Sequence, residues 1–154
     1  MSQTVDTNVL LYASNSEAPE HGRATALLDH LATGPELVVL LWPVLNSYLR
    51  MATHPSIFAN PLDHATAVAN VESLIGFPHI RTVAEGDQYW RSYRSVTDDV
   101  PVRGNGVPDA QLVALMVEHG VGSIWSRDRD FRKYTPIVVR DPFERRFADG
   151  FGAA

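Results

Sequence analysis

Five short runs of apolar and β-branched residues, at 3–5, 37–41, 79–83, 122–125 and 137–139, punctuate this chain, and most gaps between them carry a helical period. In residues 20–31, Ala24, Leu27, Leu28 and Leu31 fall on one helical face. Residues 64–75 do the same with Ala65, Val68, Val71, Leu74 and Ile75, behind Asp63 as N-cap. Further helices are expected over 8–13, 43–52 and 87–96, with loops over 54–62 and 101–107. Residues 108–119 read as a helix with Pro108 at its start and Gly120 just past its end. Strands separated by helices must join by crossovers rather than hairpins. The expected class is therefore α/β: a three-layer fold with a mainly parallel, about five-stranded central sheet flanked by helices.

A chain of 154 residues is about one domain, and no repeat or Pro/Gly-rich linker divides it. The longest apolar run, residues 37–42, falls far short of the roughly 20 residues of a membrane span. The opening MSQTVDTNVLLYA has no basic stretch ahead of an apolar one, so no signal peptide is expected. The absence of cysteine excludes disulfides and thiolate zinc sites and agrees with a cytoplasmic location. The net charge of −5 argues at first against a nucleic-acid partner. Carboxylates gathered around a divalent ion change that sign locally, because the loaded site presents positive charge. Twelve of the thirteen basic residues are arginine, which GC-rich coding or planar phosphate contact would each explain.

Ligands of open parallel sheets bind beyond the carboxyl ends of the strands. Asp6 follows the first strand directly. Asp128 and Asp130 follow the fourth, in SRDRDF, and Asp109 opens the 108–119 helix after a glycine-containing loop. Each alone has a structural explanation: Asp6 as a helix cap, Asp109 as a favourable charge at a helix N-terminus. Together they point to one end of the sheet, where unpaired carboxylates repel unless a hard divalent cation joins them. Such a site suits phosphodiester or phosphoryl chemistry.

These segments resemble the PIN-domain ribonucleases, specifically the VapC-type toxins of bacterial type II toxin–antitoxin modules. VDTNVLLYA is similar to the first family motif, VPDAQLVALMVEHG to the third-acid motif, and SIWSRDRDF to the closing motif; VLNSYLRMATHPSIFANPL resembles the intervening helix and loop. The likeness runs from about Thr4 to about Pro142, which implies a PIN-like nuclease domain over 1–142 and a C-terminal tail over 143–154. It implies Asp6 and Asp109 as metal ligands and Asp128 as the acid completing the site, with Asp130 in support. Asn8 and Ser126 would orient the first and last aspartates. The implied activity is an endoribonuclease using Mg²⁺ or Mn²⁺ and a metal-activated water. The implied partners are RNA, a VapB-like antitoxin and a second copy in a homodimer.

One position departs from the pattern: Ser47 stands where many relatives carry Glu, and no carboxylate lies between Glu36 and Asp63. This motivates a second reading, a catalytically impaired PIN fold that binds RNA or protein. Arg127, Arg129 and Arg103 are candidate RNA contacts, and a solvated surface or an antitoxin contact would equally explain any one of them. Trp90 and Tyr93 could stack on bases, though their spacing of three also suits packing or a dimer contact. A receiver domain would need a lysine on a late strand, whereas Lys133 follows the DF pair. A haloacid-dehalogenase-type phosphatase would need a second Asp where Asn8 stands.

Overall fold

The computed structural model describes residues 1–152. Its chain order is β1 (Gln3–Val5), α1 (Thr7–Ala13), α2 (His21–Thr33), β2 (Val38–Leu41), α3 (Trp42–Ala52), α4 (His64–Ile75), β3 (Ile80–Val83), α5 (Tyr89–Thr97), α6 (Gly106–Glu118), β4 (Ser123–Trp125) and β5 (Val138–Arg140). Short 3-10 turns cover Arg129–Lys133 and Arg145–Phe147. The five strands form one sheet in the order β3-β2-β1-β4-β5, and every neighbouring pair is parallel. Every residue of β1, β2 and β4 is buried, which requires cover on both faces; β2 is accordingly a continuous apolar run, while β1 and β4 also bury the polar Gln3, Thr4 and Ser123. No helix among the described residues is long and apolar enough to cross a membrane.

Most expected elements lie within two residues of their observed bounds. Asp63 caps α4 by accepting from the Thr66 N–H at 2.7 Å, and Gly120 follows α6 with φ 68°, a conformation glycine adopts without strain. The start of α6 needs correction: the helix begins at Gly106, so Pro108 is its third residue rather than its first. Proline is tolerated there because the first four N–H groups of a helix have no intrahelical acceptor. Gly104, at φ 55°, makes the turn that delivers the chain into this helix.

Trp125 on β4 organises the carboxyl-terminal residues. The rings of Phe147 and Phe151 meet it edge-on at 5.0 and 5.5 Å, and its indole N–H donates to Gln3 Oε1 at 2.8 Å. Thus residues beyond 142 add to the core, while Ala153 and Ala154 of the expected tail lie outside the described residues.

Candidate active site

The sheet order makes β1 and β4 central neighbours, and the chain leaves them in opposite directions along the sheet, β2 on one side and β5 on the other. The crevice beyond their carboxyl ends is the topological switch point. Val5 pairs with Trp125, so the residues that follow, Asp6 and Ser126, emerge side by side. Their backbone N–H groups extend the ladder, Asp6 to the Trp125 carbonyl and Ser126 to that of Arg140, each at 2.9 Å.

Ser126 is buried and joins two of the acids. Its Oγ donates to Asp6 Oδ2 at 2.8 Å and accepts from the Asp128 N–H at 2.9 Å. The Asn8 amide lies 3.3 Å from both Asp6 Oδ2 and Ser126 Oγ. The Thr7 N–H gives Asp6 Oδ1 a further hydrogen bond at 2.7 Å. Three donors therefore fix the Asp6 carboxylate at the head of α1, and a carboxylate with about four lone-pair sites still has capacity to spare. Asp128 caps the following 3-10 turn by accepting from the Asp130 N–H at 2.9 Å, which brings Asp130 round beside it.

Asp109 arrives from the first turn of α6. One carboxylate oxygen from each of Asp109, Asp128 and Asp130 lies within 4.8 Å of the others, and Asp6 stands beside this trio within reach of Asp128. The crowding is felt electrostatically. Burial, then the charges of Asp128, Asp6 and Asp130, push the Asp109 carboxyl up to about 6, with Lys133 opposing them. Burial also raises Asp6, against the hydrogen bonds from Ser126 and Thr7, and the Asp128 charge raises it further. Four carboxylates and one nearby lysine leave an excess of negative charge. An all-oxygen donor set of this kind suits a hard divalent cation.

Lys133 and Tyr134 belong to this neighbourhood and were not singled out from the sequence. Lys133 follows Asp130 by three residues, a spacing that eclipses side chains in a 3-10 turn, and this was the available signal. The Tyr134 hydroxyl is buried without a partner; burial, then the charges of Asp109, Tyr93 and Asp130, raises its pKa. Asn8 Oδ1 is a second buried atom without a partner, an acceptor facing no protein donor.

The three arginines separate. Arg127 is engaged internally: it pairs with Glu20 at 2.6 Å, donates to the Tyr12 hydroxyl at 3.1 Å and lies 5.7 and 5.5 Å from the centroids of Tyr12 and Phe143. Arg103 and Arg129 are exposed and enter no ion pair among the described residues. Ser47 is half-buried on α3, a helix without a carboxylate. A groove of about 290 Å³ between α1, α2, α3 and α4 lies away from the acids, and Asp29 is its one acidic lining residue.

The sequence matches the PIN domain family over residues 4–135. It is 50% identical over 143 residues to ribonuclease VapC48 of Mycobacterium tuberculosis H37Rv, covering 93% of this chain and 99% of that protein. Ribonuclease VapC43 of the same strain is 31% identical over 141 residues, covering 91% of this chain and 95% of its own length. Among solved structures, Rickettsia felis VapBC2 bound to a DNA fragment from their promoter aligns with TM-score 0.66 and 11% identity, covering 91% of this chain and 98% of that one. Mycobacterium tuberculosis VapC20, a sarcin–ricin loop cleaving toxin, aligns with TM-score 0.64 and 19% identity over 90% of this chain and 99% of that one. At those identities the structural likeness speaks for the fold, and the sequence relatives carry the rest. With its fold, its strand-end acids and its relatives in agreement, the chain belongs to the PIN-domain family, as a VapC-type ribonuclease.

Proposed function

We propose that this endoribonuclease toxin cuts RNA phosphodiesters with a divalent ion, Mg²⁺ or Mn²⁺, held by Asp109, Asp128 and Asp130 with Asp6 alongside. The observation that carries this reading is the convergence of the three carboxylates beside Asp6 at the switch point of the sheet. The residues fit such an ion. They offer only hard oxygen donors, and Lys133 offsets only part of their mutual repulsion. When bound, the ion supplies Lewis-acid stabilisation of charge on the phosphate and lowers the pKa of water.

The chain's own residues then have distinct tasks. Asp109 and Asp128 bring ligands from two separate elements to one point, and Asp130 completes the group. Ser126 ties the Asp6 carboxylate to the Asp128 backbone and so sets the spacing of the two residues. Asn8 holds the face of Asp6 that meets Ser126. Arg103 and Arg129, exposed and outside the ion pairs among the described residues, contact backbone phosphates of RNA in this reading, whereas Arg127 is committed to Glu20 and acts as an anchor. A VapB-like antitoxin restrains the enzyme, which works in the cytoplasm as a homodimer. The VapBC2 structure and a likeness to FitAcB from Neisseria gonorrhoeae (TM-score 0.64, 18% identity) support the two-component arrangement.

The binding-only alternative rests on Ser47, and the intact group Asp6, Asp109, Asp128 and Asp130 weighs against it. Controlled expression in a bacterial host tests the assignment. Wild type arrests growth, while Asp6→Asn and Asp109→Asn, folded by circular dichroism, do not. A variant as toxic as wild type would sink the metal-site assignment.

A further inference from the structure

The 3-10 turn Arg129–Lys133 sorts its residues into three faces, because side chains three apart eclipse there. Phe131 and the following Tyr134 are buried and define the core face. Arg132, on the face it shares with Arg129, turns to the carboxyl-terminal segment and pairs with Glu144 at 2.7 Å. The remaining face carries Asp130 and Lys133, and Asp130 is one of the three acids whose oxygens converge. Lys133, the one lysine of the chain, is therefore the cation that the period of the turn sets on the acid side.

This ammonium is not spent on the acids beside it. Lys133 is exposed and enters no ion pair among the described residues, whereas Arg127 and Arg132 are committed to Glu20 and Glu144. Its Nζ lies 5.5 Å from the centroid of the buried Tyr134 ring, a cation–π contact that restrains an otherwise mobile side chain. A divalent ion neutralises at most half the charge of Asp6, Asp109, Asp128 and Asp130, so the site is still short of positive charge when it meets a phosphodiester. Attack of water on phosphorus gathers further negative charge on the non-bridging oxygens. We propose that the Lys133 ammonium donates to a non-bridging oxygen of the scissile phosphate and stabilises that charge. This rests on the reading of the acid cluster as an RNA-cutting site. Water forms the new P–O bond, the bond to the leaving ribose oxygen breaks, and the proton lost by water ends on that oxygen, while Lys133 keeps its own. A compact ammonium on a four-carbon stem can follow an oxygen that shifts during the reaction.

The test pairs single-turnover cleavage with Mn²⁺ binding by titration calorimetry in the absence of RNA. The substrate is an end-labelled RNA fragment spanning a site that wild type cuts in pooled tRNA and rRNA. Lys133→Gln is expected to lower the rate at saturating enzyme roughly a hundredfold, with little change in the enzyme concentration giving half that rate. The same variant should bind Mn²⁺ more tightly, because a positive charge has left the neighbourhood of the acids. Lys133→Arg keeps the charge and should recover most of the rate. An unchanged saturating rate in Lys133→Gln overturns the proposal, and a weaker half-saturation alone would move the contact to a flanking phosphate. A lost rate accompanied by weaker Mn²⁺ binding also overturns it, since Lys133 would then serve only to support the acids. A wild type that binds Mn²⁺ but cuts no RNA overturns the nuclease reading, and this assignment with it.

Discussion

Asp109 sits in the first turn of a helix, where a negative charge is ordinarily favoured, yet burial and its acidic neighbours push its carboxyl up to about 6. The folded, metal-free protein thus holds this proton more tightly than the unfolded chain, whose reference value is 3.8. Stability from this group is present at low pH and declines as pH rises from about 4 through about 6. Asp109→Asn should therefore stabilise the metal-free protein at pH 7. Asp109 is half-exposed, and solvent screening reduces the effect to about 1 kcal/mol, or roughly 3 °C in Tm. Calorimetry in EDTA should show this gain at pH 7 and none near pH 4. A destabilised Asp109→Asn at pH 7 would contradict the crowding. Ser126 has the opposite sign. Its removal leaves a carboxylate oxygen and a backbone N–H short of a buried partner, so Ser126→Ala should cost about 1–3 kcal/mol in urea unfolding.

At the scale of elements, most of the architecture was legible because period and punctuation agreed. β2 showed as a continuous apolar run, α4 as a one-sided stripe behind Asp63, and the end of α6 as Gly120. The start of α6 was misplaced because the rule that favours proline at a helix start rests on unpaired N–H groups, a property shared by the whole first turn. Contacts distant in sequence left no local signature. The Glu118 carboxylate, at the far end of α6, accepts from the N–H groups of Gly86 and Gln88 at 2.9 Å each and so holds the entry to α5. Nothing in the local pattern around Glu118 announces those donors. Glu118→Ala should leave both N–H groups without this acceptor and cost about 2 kcal/mol. Faster amide exchange at Gly86 and Gln88 than at β-strand positions would accompany it. Unchanged exchange at those two amides would show that the contact does not hold the loop.

For the whole molecule, the site follows from topology. Strand order sets β1 beside β4, and that adjacency turns three sequence-distant motifs into one cluster. The sequence pointed to Asp6, Asp109 and Asp128 through their places after strands and at a helix start. Which acid completes the close trio depends on the 3-10 turn at Arg129–Lys133, whose capping by Asp128 curls Asp130 inward. The commitment of Arg127 was hidden for a similar reason: Glu20 and Phe143 lie in segments that meet it only in the fold. Relief of carboxylate repulsion by a divalent ion should also register globally. At a hundredfold excess over its Kd, Mg²⁺ or Mn²⁺ should add about 2.7 kcal/mol, or roughly 5–10 °C in Tm, and Asp128→Asn should lose most of that shift. An equal shift in wild type and variant would place the ion elsewhere.

The most direct measurement is cleavage of pooled tRNA and rRNA by the purified, antitoxin-free protein, with Mg²⁺ or Mn²⁺ and with EDTA, beside Asp6→Asn and Asp109→Asn. The account predicts discrete cuts that require the ion and disappear in both variants while the fold persists. Cutting that survives EDTA or either substitution, or a folded wild type that leaves the whole pool intact with metal present, would contradict it.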